Sequence, residues 1–570
     1  MSARLWWAGI VASFALGLGI AAHAEDSTDP EATDETERAD ENDSSSYPSD
    51  ALFDFLTAEI AAQRGDVDGA LAIYARLARE LHDPQIARRA VETAIRSRAF
   101  GAALDSATLL LELDSESSLA REIMAALLAN EGELAKARER VAAILEKSSQ
   151  RSVLIMQLSH LFAKFNDKAA VLEATQRLVK PYDATPEAHY ALGVAALVAG
   201  RIELALAEAD IALERRPSWE FGAILKAQVL RKAAPDEIIA FYAKFVDKNP
   251  ESTEVRMQLG RELAAERKLT EAREQFREAE KRLKNDPQPA YAIGLLSLQL
   301  EDFSEAQVAF TRALKGGYRE PAAVYLGLGQ AAEGLKRFDE AITWYKRVDS
   351  GDWVRAQLKI ATLLAREQGL TAGREYLQRI EPRSDEDRVQ IIQVEAQLLR
   401  DAKAWKETFE MLTQAVDEHP DSFELRYDRA MAAERINRLD VLEADLRRVM
   451  EMKPDYAHAY NALGYTLAEK TDRLDEAKTL IEKALKLQPD DPFILDSLGW
   501  VYYRLGQVQE ALKHLHTAYT ARPDPEIAAH LGEVLWRSGQ HEEAQKIWRA
   551  ALTENPGHES LLAVIQKYGP

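Results

Sequence analysis

The chain has 570 residues, a formal net charge of −22 and no cysteine. That acidity argues against a nucleic-acid partner, whose phosphates need a basic face, and the missing thiols exclude disulfides, thiol catalysis, thiolate metal sites and an acylated N-terminal cysteine. Alanine, leucine, glutamate and arginine dominate, and no Val/Ile-rich alternation marks a sheet.

Residues 1–24 read as an export signal that is cleaved. Arg4 supplies the positive start, Leu5 to Ile20 the apolar run, and Ala22-His23-Ala24 a small-x-small site. The run is shorter than a comfortable membrane span, and an uncleaved anchor is the alternative. Residues 25–50 hold eleven acids, one arginine and almost nothing apolar, a net charge of −10, and are expected to be a disordered acidic linker.

From Ala51 a repeat begins in weak form. Ala58 stands where later units have glycine, Gly65 marks the turn, and Ala70 and Tyr74 belong to the next helix. Further pairs can be laid on Ala125 with Ala137, Leu158 with Ala170, and Leu192-Gly193 with Ala205. The unit over 218–250 fits poorly, because Pro235 stands where the turn should be. The pattern sharpens at Leu259-Gly260, Gly294 and Leu328-Gly329, then loosens over 352–420. The stretch from Trp353 to Glu386, with Gly369, Gly373 and Pro382, is the expected bend, dividing an N-terminal array (51–350) from a C-terminal one (351–570).

Three clear units follow. Leu463-Gly464, Leu498-Gly499 and Leu531-Gly532 recur 35 and 33 residues apart. Each precedes a small and a bulky residue: Ala477 and Ile481, Ala511 and Leu515, Ala544 and Trp548. Each unit ends at a proline: Pro489, Pro523 and Pro556. The period of about 34 residues is that of an antiparallel helix pair. Glycine lets the second helix approach the first, and proline sets the corner into the next pair. One pair cannot cover its own apolar faces, so neighbours stack into a solenoid. About 15 pairs fit between Ala51 and a last capping helix near Glu559 to Lys567.

No catalytic, cofactor or metal constellation stands out. His541-Glu-Glu-Ala-Gln545 lacks the second histidine of a helical zinc motif, and no Gly-rich phosphate loop or Gly-x-Ser-x-Gly elbow occurs. His514 and His516, two residues apart, point to nearly opposite sides of a helix. The chain reads as a non-enzyme with no cofactor. Phe53, Leu56 and Ile60 recur on the face that in later units packs on the preceding pair. The first unit has none, so they are a candidate partner-binding edge, with self-association into a homo-oligomer as the mundane alternative.

The Leu/Gly, then Ala/bulky/Ala, then Pro pattern resembles the tetratricopeptide repeat family, which implies an all-α, right-handed solenoid and protein partners. The resemblance also implies that the first helix of each pair lines a concave face. Tyr427, Met431, Tyr465, Trp500, Tyr503 and Trp536 take positions facing it, and all but Tyr427 form a candidate ligand strip for an extended peptide or a sugar chain. Gap filling between helices is the other reading of these rings. Leu52-Phe-Asp-Phe-Leu-Thr-Ala-Glu-Ile-Ala-Ala-Gln-Arg-Gly65, Asp83-Pro-Gln-Ile-Ala-Arg-Arg89 and Gly532-Glu-Val-Leu-Trp536 look like periplasmic repeat adaptors that partner a carboxyl-terminal processing protease in Gram-negative bacteria. Such adaptors are held to bind the protease through their N-terminal helices and to present cell-wall hydrolases to it. They are lipoproteins, and this chain has no cysteine to acylate, so membrane attachment is not carried over. An exopolysaccharide or envelope-assembly scaffold and a glycan-binding protein are the rival functions.

Overall fold

The structure, a computed structural model, describes residues 49–130 and 134–568. The expected export signal, and all but the end of the acidic linker, lie outside them. Among the described residues there are 32 α-helices, two single 3-10 turns and no strand. They make fifteen helix pairs and a final helix, Glu559–Tyr568. In the fourth pair the first helix is broken at Gln157 into Arg151–Met156 and Leu158–Leu161.

Local chemistry sets the boundaries. Three first helices start at an Asp-Pro step: Asp83, Asp491 and Asp524 accept the backbone N–H groups of Gln85, Phe493 and Glu526 at 2.7, 2.8 and 2.9 Å. The proline that follows occupies the first turn, where its missing N–H costs nothing. Pro235 works the same way. It opens a single 3-10 turn that feeds Ile238–Lys248, so the poorly fitting unit over 218–250 is an ordinary pair with a shortened second helix.

Within a pair, glycine decides how closely the helices approach. A methyl group on Gly464 would stand 2.5 Å from Cγ1 of Ile481, and one on Gly499 would stand 2.6 Å from Cγ of Leu515. The bulky residue of the second helix therefore sits directly on the backbone of the first, as the repeat pattern predicts.

The chain falls into two compact units, divided between Arg319 and Glu320. The division follows Gly316-Gly317, where Gly317 takes φ +74° and the helix Phe303–Lys315 ends. Trp353–Gln368 and Leu370–Gln378, expected to bend between two arrays, form one helix pair inside the second unit. Gly369 alone links them, at φ +99°. In the second unit the first helices of successive pairs from Asp385 onward, up to the final helix, largely pack on one another directly. The array therefore bends toward its first helices, which form the inner face of that unit.

Candidate functional site

Two surfaces stand apart from the packed repeats. The first is the helix Ser49–Gln63. Its inward side is fixed by Ala58, fully buried, and by Phe55, whose ring meets Tyr74 edge-on at 5.7 Å. Glu59 receives the Tyr74 hydroxyl at 2.6 Å and the Arg89 guanidinium at 2.7 and 2.8 Å, and Arg76 holds Asp54 at 2.6 Å. The Arg89 pairing draws the Glu59 carboxyl down to about 2, against the opposing effect of burial. The outward side carries Leu52, Phe53, Leu56 and Ile60, exposed at 53, 70, 51 and 49 %. A helix apolar on both sides is one that is buried on both sides when assembled. A cleft of about 510 Å³ opens beside it, lined by Ala51, Leu52, Phe55, Leu81 and Ile86, with Arg88 and Arg89 at its rim.

The second surface is the inner face of the C-terminal unit. Tyr465, Trp500 and Tyr503 come together there, around His530, a residue not singled out in the sequence. The Trp500 and His530 rings stack at 4.4 Å, and Trp500 meets Tyr503 at 5.2 Å. The imidazole bonds Asp496 at 2.8 Å and reaches the Tyr465 hydroxyl at 3.4 Å, two pairs away along the chain. Trp500 Nε1 donates to Glu469 at 2.8 Å. Trp500 is only 7 % exposed, which corrects the expectation of an open ring for docking: where the first helices converge, its indole fills the wedge between them.

Trp536 belongs elsewhere. It packs on Trp548, Tyr568 and His541 at 5.8, 6.1 and 4.3 Å, holding the final helix in place. Met431 packs against the core built by Ala430 to Val501, and Tyr427 lies edge-on to Tyr456 at 5.3 Å. The continuous strip read from the sequence is thus a three-ring group around a histidine plus separate packing residues. The i, i+4 pairs Asn461/Tyr465, Asp496/Trp500 and Glu526/His530 are the sequence signal that places the polar members on the aromatic face.

Among the described residues no group of three or more His, Asp or Glu side chains is arranged to hold a metal ion. No described helix is long and apolar enough to cross a membrane.

The tetratricopeptide repeat family model matches residues 31–81, 158–218, 291–356 and 497–559, and a second model of the same repeat matches 457–491. The matched segments are similar to tetratricopeptide repeats. The chain is 29 % identical over 483 residues to a tetratricopeptide repeat-containing protein of Pseudomonas aeruginosa, covering 84 % of this chain and 81 % of that one. Among solved structures it is similar to a thermophilic tetratricopeptide protein of Thermus thermophilus (21 % identity, 30 % of this chain and 93 % of that one, TM-score 0.28). It is also similar to MamA of Desulfovibrio magneticus (15 % identity, 30 % and 96 %, TM-score 0.26). Tetratricopeptide repeats mark a protein-binding scaffold.

Proposed function

We propose that this scaffold is an exported, non-catalytic adaptor. It recruits a periplasmic carboxyl-terminal processing protease through the helix Ser49–Gln63 and presents client proteins, cell-wall hydrolases among them, from the inner face of its repeats. One observation carries the reading: Leu52, Phe53, Leu56 and Ile60 face solvent on a helix whose other side is pinned by Glu59 and Arg89. A rigid, presented apolar stripe suits a partner helix. The similarity to a repeat protein of a Gram-negative bacterium is in keeping with that setting.

Capture from periplasmic extract followed by mass spectrometry tests it. The full chain is expected to retain protease and hydrolase peptides, and Leu56→Asp with Ile60→Asp to lose the protease while helicity stays unchanged. Undiminished capture by that variant discards the edge. Recovery of polysaccharide synthase or secretion-channel peptides instead would make the chain an envelope-assembly scaffold. Direct glycan binding by the full chain would make it a glycan-binding protein.

A further inference from the structure

The five pairs from Asp385 to Glu554 wrap so tightly that their two ends touch. Lys403, in the turn after the first helix Asp385–Asp401, reaches Glu559 at the start of the final helix at 2.7 Å, and the two side chains are 70 and 77 % exposed. No shared apolar core backs this seam. The buried cluster around Ala396, Leu412 and Ala432 and the one around Trp500, Trp548 and Leu561 have no residue in common. An exposed ion pair contributes little to stability and is screened by salt. The inner side of the unit is thus bounded by a contact that is easily undone.

The steps between these pairs are not equally firm. From Ala457 onward the inner side is locked: the buried His530 ring bonds Asp496 at 2.8 Å, reaches the Tyr465 hydroxyl at 3.4 Å and stacks on Trp500 at 4.4 Å, so one side chain joins three successive first helices. The preceding step is different. The first helices Phe423–Arg435 and Ala457–Lys470 pack on each other only sparsely. At one end Tyr456 lies edge-on to Phe423 and Tyr427, each at 5.3 Å; toward the other end the Thr466 hydroxyl donates to Glu434 at 3.3 Å. The fastening lies between their second helices, Leu439–Met452 and Leu474–Leu487. There Arg447 pairs with Glu443 and Glu476 at 2.7 and 2.5 Å, and Arg473 pairs with the same two carboxylates at 2.8 and 2.7 Å. A step held along its second helices and loose along its first ones hinges so as to open the inner side.

We propose that the C-terminal unit is a clamp that hinges between the pairs 423–452 and 457–487 and parts at the Lys403–Glu559 seam, admitting an extended polypeptide to its inner face. Opening lengthens the distance across the seam and leaves the His530 cluster as it is. Because so little holds the seam, the closed and open forms lie close in free energy, and a client that binds only the open form shifts the balance. The identity of what enters rests on the client-presenting half of the adaptor reading; the opening itself does not.

The chain has no cysteine, so two introduced thiols carry two spin labels and no others. Ala402→Cys with Ser560→Cys flanks the seam and leaves the ion pair in place, and pulsed double electron–electron resonance on the full chain reads the distance. A short and a long distance are expected, with the long-to-short ratio rising about twofold to fivefold between about 50 mM and about 1 M salt. Lys403→Glu in that background should favour the long distance already at low salt, and adding Glu559→Lys should restore the short one. Labels at Thr479→Cys and Lys513→Cys, exposed sites beyond the hinge, should keep a single distance throughout. A seam distance that ignores both salt and charge reversal overturns the clamp. So does a 479–513 distance that shifts in step with it, which would mean general loosening. Joining the 402 and 560 thiols with a short bis-maleimide should cost the chain its hydrolase peptides in capture from periplasmic extract and leave the protease bound, whereas capping them singly with N-ethylmaleimide should keep both. Equal hydrolase capture by the joined and capped forms overturns the admission of clients. Loss of protease capture therefore reports on the adaptor reading, and the seam distance reports on the clamp.

Discussion

Gly532 has no room for a methyl group, because the indole nitrogen of Trp548 stands where its Cβ would be. Gly532→Ala is expected to destabilise the C-terminal unit by about 1–3 kcal/mol in urea unfolding, as overpacking does; adding Trp548→Leu should recover part of that loss. The turns inside the pairs give an opposite case. Gly506 takes φ +76° and Lys336 takes φ +59° at equivalent turns, and a left-handed conformation costs a side-chain-bearing residue about 1–2 kcal/mol. Lys336→Gly should therefore raise the melting temperature, and Gly506→Ala should lower it. His530 sets a pH dependence. Burial alone would lower its pKa, but the Asp496 carboxylate, with Glu526 and Glu469 nearby, outweighs burial and raises it. A raised folded pKa gives stability that is fully present below the ordinary value of about 6.5 and lost as pH climbs through the folded value. The stability difference between the native chain and His530→Gln is thus expected to shrink as pH rises above about 6.5, measured by urea unfolding at increasing pH.

The first helix is the element whose attachment is easiest to undo. Its apolar inward side is modest, Ala58 and Phe55, so much of its hold comes from Glu59 at the meeting of Tyr74 and Arg89. Since folding lowers the Glu59 carboxyl from 4.5 to about 2, its contribution is present above the unfolded value and is lost as pH falls from 4.5 toward 2. Glu59→Gln is expected to loosen Ser49–Gln63 at neutral pH by on the order of 2 kcal/mol. Hydrogen exchange of that helix should speed up in the variant at pH 7, and the difference between variant and native chain should be much smaller at pH 2.5. The same pinning makes the outward stripe a firm platform: a frayed helix would lose ordering entropy on meeting a partner, and this one has already done so.

At the scale of the whole molecule, each unit carries its own core, and the C-terminal unit closes on itself. Lys403 reaches Glu559 at 2.7 Å across 156 residues of sequence, and Tyr465 reaches His530 across 65. A fragment covering 320–570 is therefore expected to fold by itself, giving a helical circular-dichroism spectrum and a cooperative melt. Pairing of helices, the period, the fifteen pairs and the final helix were legible in the sequence, because glycine under a bulky residue and a proline at a corner are local, repeated chemistry. The exposed stripe of Phe53, Leu56 and Ile60 was legible for the same reason, since a first repeat has no predecessor to cover it. The inner face was not. Whether Trp500 opens to solvent or plugs a wedge depends on how sharply successive first helices converge. That angle is the sum of small packing choices in every pair, and no single repeat encodes it. Sequence by itself determined the unit and its stacking; the curvature, and with it which side chains meet across it, was decided only by the tertiary structure.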